Sequence, residues 1–586
     1  MRNISSVEHL PMGAEFPEGT SLRLRWHRLA AFACAGLLAL SACAGLPREG
    51  EVHVVKPSPV AEGEIGFVAR PPARGATPEQ VVAGFLDATA AGFDDDFVVA
   101  RQYLQGSVAS SWDPLAQVRV YSDTQNVQAS TTSSGAIRVS VGSLGTVSHE
   151  GVYSESSNEA TITTDFSLAR NAEGEWRIAS LEDGIFLSEH LFSQLYVKAP
   201  VYYLASSADF LVADLHWYPR KTFPTQAVRA LLSGPTDPLA SAVTTAFPAN
   251  TALVGSVDVK DGVALVNLSK EVLGASSNGQ AHLMAQLRRT LTSLVTIQDV
   301  HVSVEGVALE EDSVDNLTPY PFGSYPLAVI SQGVPAVVSA SDGSTTPVTE
   351  NHSVVSLGLR DLAVTYSDTS PIYAALSGDR NKLYTLNATS DPAQVVSGTT
   401  LLAPSFDTAG WVWTGETLAQ GKLLVAEPRT GASGEVTAPW LTGMSIRSLA
   451  VSRDGARIAV VGETGGAVAV YLAGVGRDSA GKPVTLSDPV QIAQRLNDVS
   501  DIAWISATDL VVSGSTGAGG DYSLYNIQTG GPMTKISPPS GGIVSVTAGR
   551  NEQSIAVLTG NGTVMGRSGG AWRSIATGVS SAAYPG

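Results

Sequence analysis

The 586-residue sequence predicts a multidomain chain, α+β in its first half and all-β in its second. Helix-start signals and an apolar stripe at helical spacing fall within the first 300 residues. After about residue 318, strand-turn-strand copies recur every 40 to 53 residues. A composition with 58 Gly, 31 Pro and only 15% charged residues suits many short strands joined by tight turns. The length exceeds what one core supports, and domain statistics suggest roughly three to four domains.

The first element is an export segment, residues 1–42. Arg23-Leu24-Arg25-Trp26-His27-Arg28 forms a basic start, and an apolar run follows it to Ala42. The run is short for a permanent span, which takes about 20 residues, so cleavage is expected. It ends Leu40-Ser41-Ala42-Cys43, which resembles the bacterial lipobox and marks cleavage between Ala42 and Cys43, with lipid added to the Cys43 thiol. Two or more acyl chains, at about 0.8 kcal/mol per buried methylene, hold a protein on a bilayer where one does not. The other cysteine, Cys34, lies within the apolar run, so the body has neither disulfides nor thiolate metal sites. Residues 43–75, with Pro47, Pro57, Pro59, Pro71 and Pro72, read as a tether.

Residues 76–198 open with Thr77-Pro78-Glu79-Gln80, an N-cap, a Pro at the first helical position and a Gln closing the capping box. Val81, Val82, Phe85 and Leu86 give the helix one apolar face. The acidic triplet Asp94-Asp95-Asp96 reads as the start of a second helix rather than as a metal site, because consecutive carboxylates point to different sides. Strands follow at Val118–Tyr121 and in a hairpin turning at Asn171–Gly174. Two helices leading into a curved antiparallel sheet resemble the nuclear-transport-factor-like cone.

Residues 199–310 contain strands at Val201–Leu204 and Leu211–Tyr218, and a helix Thr225–Ser233 stopped by Gly234-Pro235. Further strands are expected in Ala252–Val259 and Val263–Leu268 about the Asp261-Gly262 turn. A helix carrying Leu283, Leu287, Leu291 and Leu294 comes next, then a strand Val300–Val304. The run A-x-x-A-L-L-x-G-P, the D-G turn followed by V-x-L-S, and V-x-V-x-G resemble a GerMN domain.

Residues 318–586 hold the repeat. Ala403–Asp407 through Trp413 aligns without a gap on Ala450–Gly455 through Val461, and weaker copies start near Ala363, Ala503 and Thr547. This period predicts a β-propeller of about six blades, closed by Ser580–Tyr584 pairing with strands from Leu327–Val348.

The formal charge is −18, and the chain from Cys43 onward carries 32 basic against 51 acidic residues, so nucleic acid is not expected as a partner. The nine histidines are scattered and none lies beyond 352. Gly476–Lys482 mimics a phosphate loop, but Pro483 stands where Ser or Thr should be, so it reads as an inter-strand loop. Gly560-Asn561-Gly562 reads as a hairpin turn. Blade starts hold Ala, Val and Ser, not the inward His or acidic residues a propeller enzyme needs. No catalytic residue, cofactor or metal is expected.

Lipobox, mixed domain, GerMN-like domain and propeller, in that order, resemble the LpqB-type lipoproteins of actinobacteria. The resemblance implies a non-catalytic accessory of a two-component system, anchored to the outer face of the membrane through acylated Cys43. It also implies contact with the extracytoplasmic domain of an MtrB-type sensor histidine kinase, in cell-envelope homeostasis and division. The partner-binding residues are unknown. A propeller that binds or hydrolyses cell-wall glycan or peptide, and a structural envelope protein, are the alternatives.

Overall fold

The computed structural model describes residues 69–586 apart from 125–126, 310–316, 368 and 518–520. Ala42, Cys43 and most of the tether lie outside the described residues. The helix Pro78–Asp95 begins as expected: the Thr77 side chain accepts from Gln80 N–H, and Gln80 closes the capping box. It runs on through the acidic triplet, however, and stops at Asp96 in a left-handed conformation (φ 55°). Only then does the single-turn helix Val98–Arg101 follow, with the Asp95 carboxylate accepting from Val99 N–H.

The helices pack on a seven-stranded sheet built round the 12-residue strand Ile137–Ser148. The hairpin Thr161–Arg170 with Trp176–Ser180 turns where expected, and the Asn171 side chain accepts from Glu173 and Glu175 N–H. One pairing departs from the antiparallel expectation: Gln117–Tyr121 runs parallel to Ile185–Ser188. Val81, Val82, Phe85, Phe166 and Ile178 form the core between helix and sheet.

Strand Tyr196–Ala205 gives Tyr196 to this core and Val201 and Tyr203 to the next. Its antiparallel partner is Leu211–Pro219. Helix Phe223–Ser233 stops at Gly234. Asp261 (φ 50°) and Gly262 (φ 79°) form the tight turn between Asp258–Lys260 and Val263–Leu268. The expected strand over Ala252–Val259 shrinks to Asp258–Lys260, since ahead of it only Leu253 bridges the neighbouring strand, at Leu268, and Val257 N–H turns away to Thr225 Oγ1. In helix Ser277–Leu291, Leu283, Leu287 and Leu291 are fully buried, each contributing about 1.5–3 kcal/mol. Leu294 lies beyond its end, against the same core.

The C-terminal half is a six-bladed propeller. Five blades are consecutive antiparallel meanders whose inner strands are Arg360–Val364, Ser405–Phe406, Ser445–Val451, Asp498–Trp504 and Ser545–Ala548. Four have four strands, and the third has a fifth, Pro483–Leu486, which bridges in parallel to Ala432–Thr437 of the blade before. The sixth combines Ala328–Ser331, Val334–Val338 and Thr345–Pro347 with Val579–Ala583 as its inner strand. Ala328 pairs with Ala583 and Ile330 with Ser581, so the chain is clasped as the repeat predicts.

Candidate functional site

The six inner strands surround a channel, and their free edges present unpaired backbone groups to it. Side chains from adjacent blades satisfy them. Leu362 N–H donates to Ser581 Oγ (2.9 Å), Val451 N–H to Ser405 Oγ (3.0 Å), and Tyr584 N–H to Thr547 Oγ1 (2.9 Å). Val546 N–H donates to Asp501 Oδ2 (2.8 Å), while Ser448 Oγ donates to Asp501 Oδ1 (2.8 Å). Between the first and second inner strands the seam is apolar, Ala363 against Phe406.

The cavity within is about 290 Å³. Arg360, Val544 and Ser580 are exposed at its mouth, where Asp361 Oδ2 pairs with Arg380 (2.9 Å) and Arg360 (3.1 Å). Its floor is Arg453, Tyr366, Pro585 and Gly586. Arg453 is 2% exposed, and its Nη2 donates to the Trp504 and Ala548 carbonyls. Burial lowers its pKa to about 10, against the pull of Tyr366, so the guanidinium stays charged. The outer side of the floor is sealed by aromatic residues of the segment entering the propeller: Phe322 lies 4.0 Å from the Arg453 guanidinium, and Phe322 and Tyr325 pack edge-on to Tyr366. Burial pushes Asp501 up to about 6 although Val546 N–H and Ser448 oppose it.

The expectation that blade starts lack acidic residues is therefore corrected. The copies at Ala363, Ala450, Ala503 and Thr547 begin late in their inner strands, while Asp361 and Asp501 lie earlier in theirs. Arg453 escaped notice too, and its signal was a break in the repeat: it occupies the place of Phe406 in the matching copy. Gly476–Lys482 ends strand Ala467–Arg477 and turns into Pro483–Leu486, and Gly560–Gly562 connects Ile555–Leu558 to Thr563–Ser568. Among the described residues no group of three His, Cys, Asp or Glu side chains is placed to hold a metal.

A second cluster joins the three modules. Buried His216 holds the Glu150 carbonyl of the first domain through Nδ1 (2.8 Å) and lies 3.5 Å from Asp214 through Nε2. Asp214 accepts from Thr236 N–H and Oγ1 (2.9 and 3.2 Å). From the propeller, buried Arg457 donates to the Ala213 carbonyl and lies 3.5 Å from Asp454. Burial alone would lower the His216 pKa, but Asp214 and the Glu150 carbonyl outweigh it and raise it. Asp214 is held low despite its burial by His216, Arg457 and Thr236 N–H. Trp217 Nε1 to the Gly530 carbonyl (2.7 Å) and Met533 N–H to Glu155 (3.2 Å) extend the junction.

Comparison with known families agrees with this division. Residues 71–193 match the model described as "Lipoprotein LpqB, N-terminal domain", and 335–585 match "Lipoprotein LpqB beta-propeller domain". The chain belongs to the LpqB lipoprotein family. Between these, residues 200–310 match the model "Sporulation and spore germination". Lipoprotein LpqB of Cutibacterium acnes is 29% identical, covering 96% of this chain and 100% of the relative. Lipoprotein LpqB of Streptomyces coelicolor is 28% identical over 92% and 95%. Among solved structures, the first GerMN domain of the Bacillus subtilis sporulation protein GerM is 24% identical, covering 21% of this chain and 94% of that one, with TM-score 0.18. LpqB membership makes the chain a membrane-anchored lipoprotein. Among the described residues no helix is long and apolar enough to cross a membrane.

Proposed function

We propose that the protein is a non-catalytic accessory of a two-component system, held on the extracytoplasmic face of the membrane by lipid on Cys43. Its partner in this reading is the extracytoplasmic domain of an MtrB-type sensor histidine kinase. The observation that supports it best is the junction at Asp214, His216 and Arg457. Three modules with separate cores are fixed against one another there, which suits a rigid recognition body whose orientation a receptor can read.

The test is reconstitution of the anchored protein with the kinase in vesicles. The kinase's autophosphorylation rate should change several-fold with the wild-type chain, and the change should vanish for Cys43→Ser, which also leaves the membrane fraction. No crosslink to the kinase in cells, together with an unaltered rate, would sink the proposal. Release of sugar or peptide from cell-wall fragments would instead favour a hydrolytic propeller.

A further inference from the structure

From the floor of the channel we infer a binding site for a small ligand ending in a carboxylate, whose head meets Arg453. Arg453 Nη1 has no hydrogen-bond partner among the described residues, although the residue is almost wholly buried and lines the cavity. An unmet guanidinium nitrogen in such a place is costly, because a desolvated charge needs a partner. Nη2 is spent on two carbonyls, and no carboxylate pairs with Arg453 among the described residues.

The geometry also selects the anion. One free guanidinium nitrogen suits the single charge of a carboxylate. A phosphate group, with up to two charges, calls for several donors, and Asp501 in the wall opposes a dianion. At about 290 Å³ the channel lies near the lower end of ligand-pocket sizes, roughly 300 Å³. Ser448, Ser545, Thr547, Ala450 and Ala582 leave its walls slender. A short extended chain with a free terminal carboxylate fits this shape, and so does a small organic acid. This inference is independent of the kinase reading.

The charged and titratable side chains lining the channel are Arg360, Asp361, Arg380, Asp501, Tyr366, Tyr584 and Arg453, with Gly586 beside them at the floor. Asp501 changes charge near pH 6, so a carboxylate ligand binds more tightly once it is protonated.

Calorimetric titration of the full chain in detergent, with an untagged C-terminus, tests this with tetra-alanine, its C-terminal amide, propionate and inorganic phosphate. The free acid should bind at least tenfold more tightly than the amide. Propionate binding as well as tetra-alanine would assign the site to organic acids, whereas a tenfold preference for tetra-alanine would assign it to peptide termini. Arg453→Gln should weaken the acid at least tenfold. If that variant fails to fold, Asp501→Asn decides: it should bind at pH 7.5 as the wild type binds at pH 5.5, without pH dependence. Equal binding of acid and amide, phosphate binding as tightly as the acid, or no binding by any carboxylate would overturn the inference. So would unchanged affinity in folded Arg453→Gln, or an Asp501→Asn variant that keeps the wild-type pH dependence.

Discussion

Asp214 and His216 are two residues apart on one strand, so they share a face, and that face is buried against two other domains. A buried pair of this kind is expensive to break from one side: Asp214→Ala should cost about 3–5 kcal/mol, read as a lower denaturant midpoint. The pH response follows from the two shifts. The raised His216 contributes stability that is full below its ordinary value near 6.5 and is lost as pH rises through its raised one. The lowered Asp214 contributes stability that is full above its ordinary value near 3.9 and is lost as pH falls through its lowered one. Between about pH 5 and 6.5 both are in place. Differential scanning fluorimetry from pH 6 to 9 should therefore show the wild type losing a few degrees that His216→Gln does not lose. The sequence carried a hint of this pair, two polar residues alternating within an apolar strand. What it lacked was any sign that the face they share would be covered.

Elements with local signals were legible, and those defined by distant contacts were not. The Thr77 cap, the Gly234 stop, the Asp261-Gly262 turn and the leucine stripe are each encoded within a few residues. Thr77→Ala should accordingly cost about 1 kcal/mol, measurable in chemical denaturation. The phase of the blades was harder, because the repeated motif marks the turn out of the inner strand rather than its start. In that motif the aspartate is structural. Asp407 accepts from Trp411 N–H and Trp413 Nε1 and pairs with Arg477 at 2.7 Å. The approach of the second domain to the propeller also depends on an element no motif marks. A side chain at Gly474 would collide with the Pro238 carbonyl, so Gly474→Ala should loosen that contact without altering any charge. Limited proteolysis near Pro238 should then become several-fold faster while the propeller's own melting is kept.

For the whole molecule, the order and number of modules could be read from the chain but their docking could not. The reason lies in the chemistry of the interfaces. Arg457, Trp217 and Ser487 all donate to main-chain carbonyls, of Ala213, Gly530 and Pro238, and every sequence supplies carbonyls. Closure of the ring was predictable because it uses a recognisable strand. Truncation before Val579 should leave Ala328–Ser331 as an open edge, and light scattering after size exclusion should detect self-association.

That closure also sets a clock. Ala328 has no inner neighbour until Ala583 reaches it, so about 250 residues must be added after the first strand of the ring before its partner exists. During synthesis the two N-terminal modules can settle early, whereas the propeller must wait for almost the last residues of the chain. A product that stops before Val579 is thus left with an unsealed ring, and pulse-labelling should show it degraded faster than chains that carry Val579–Ala583.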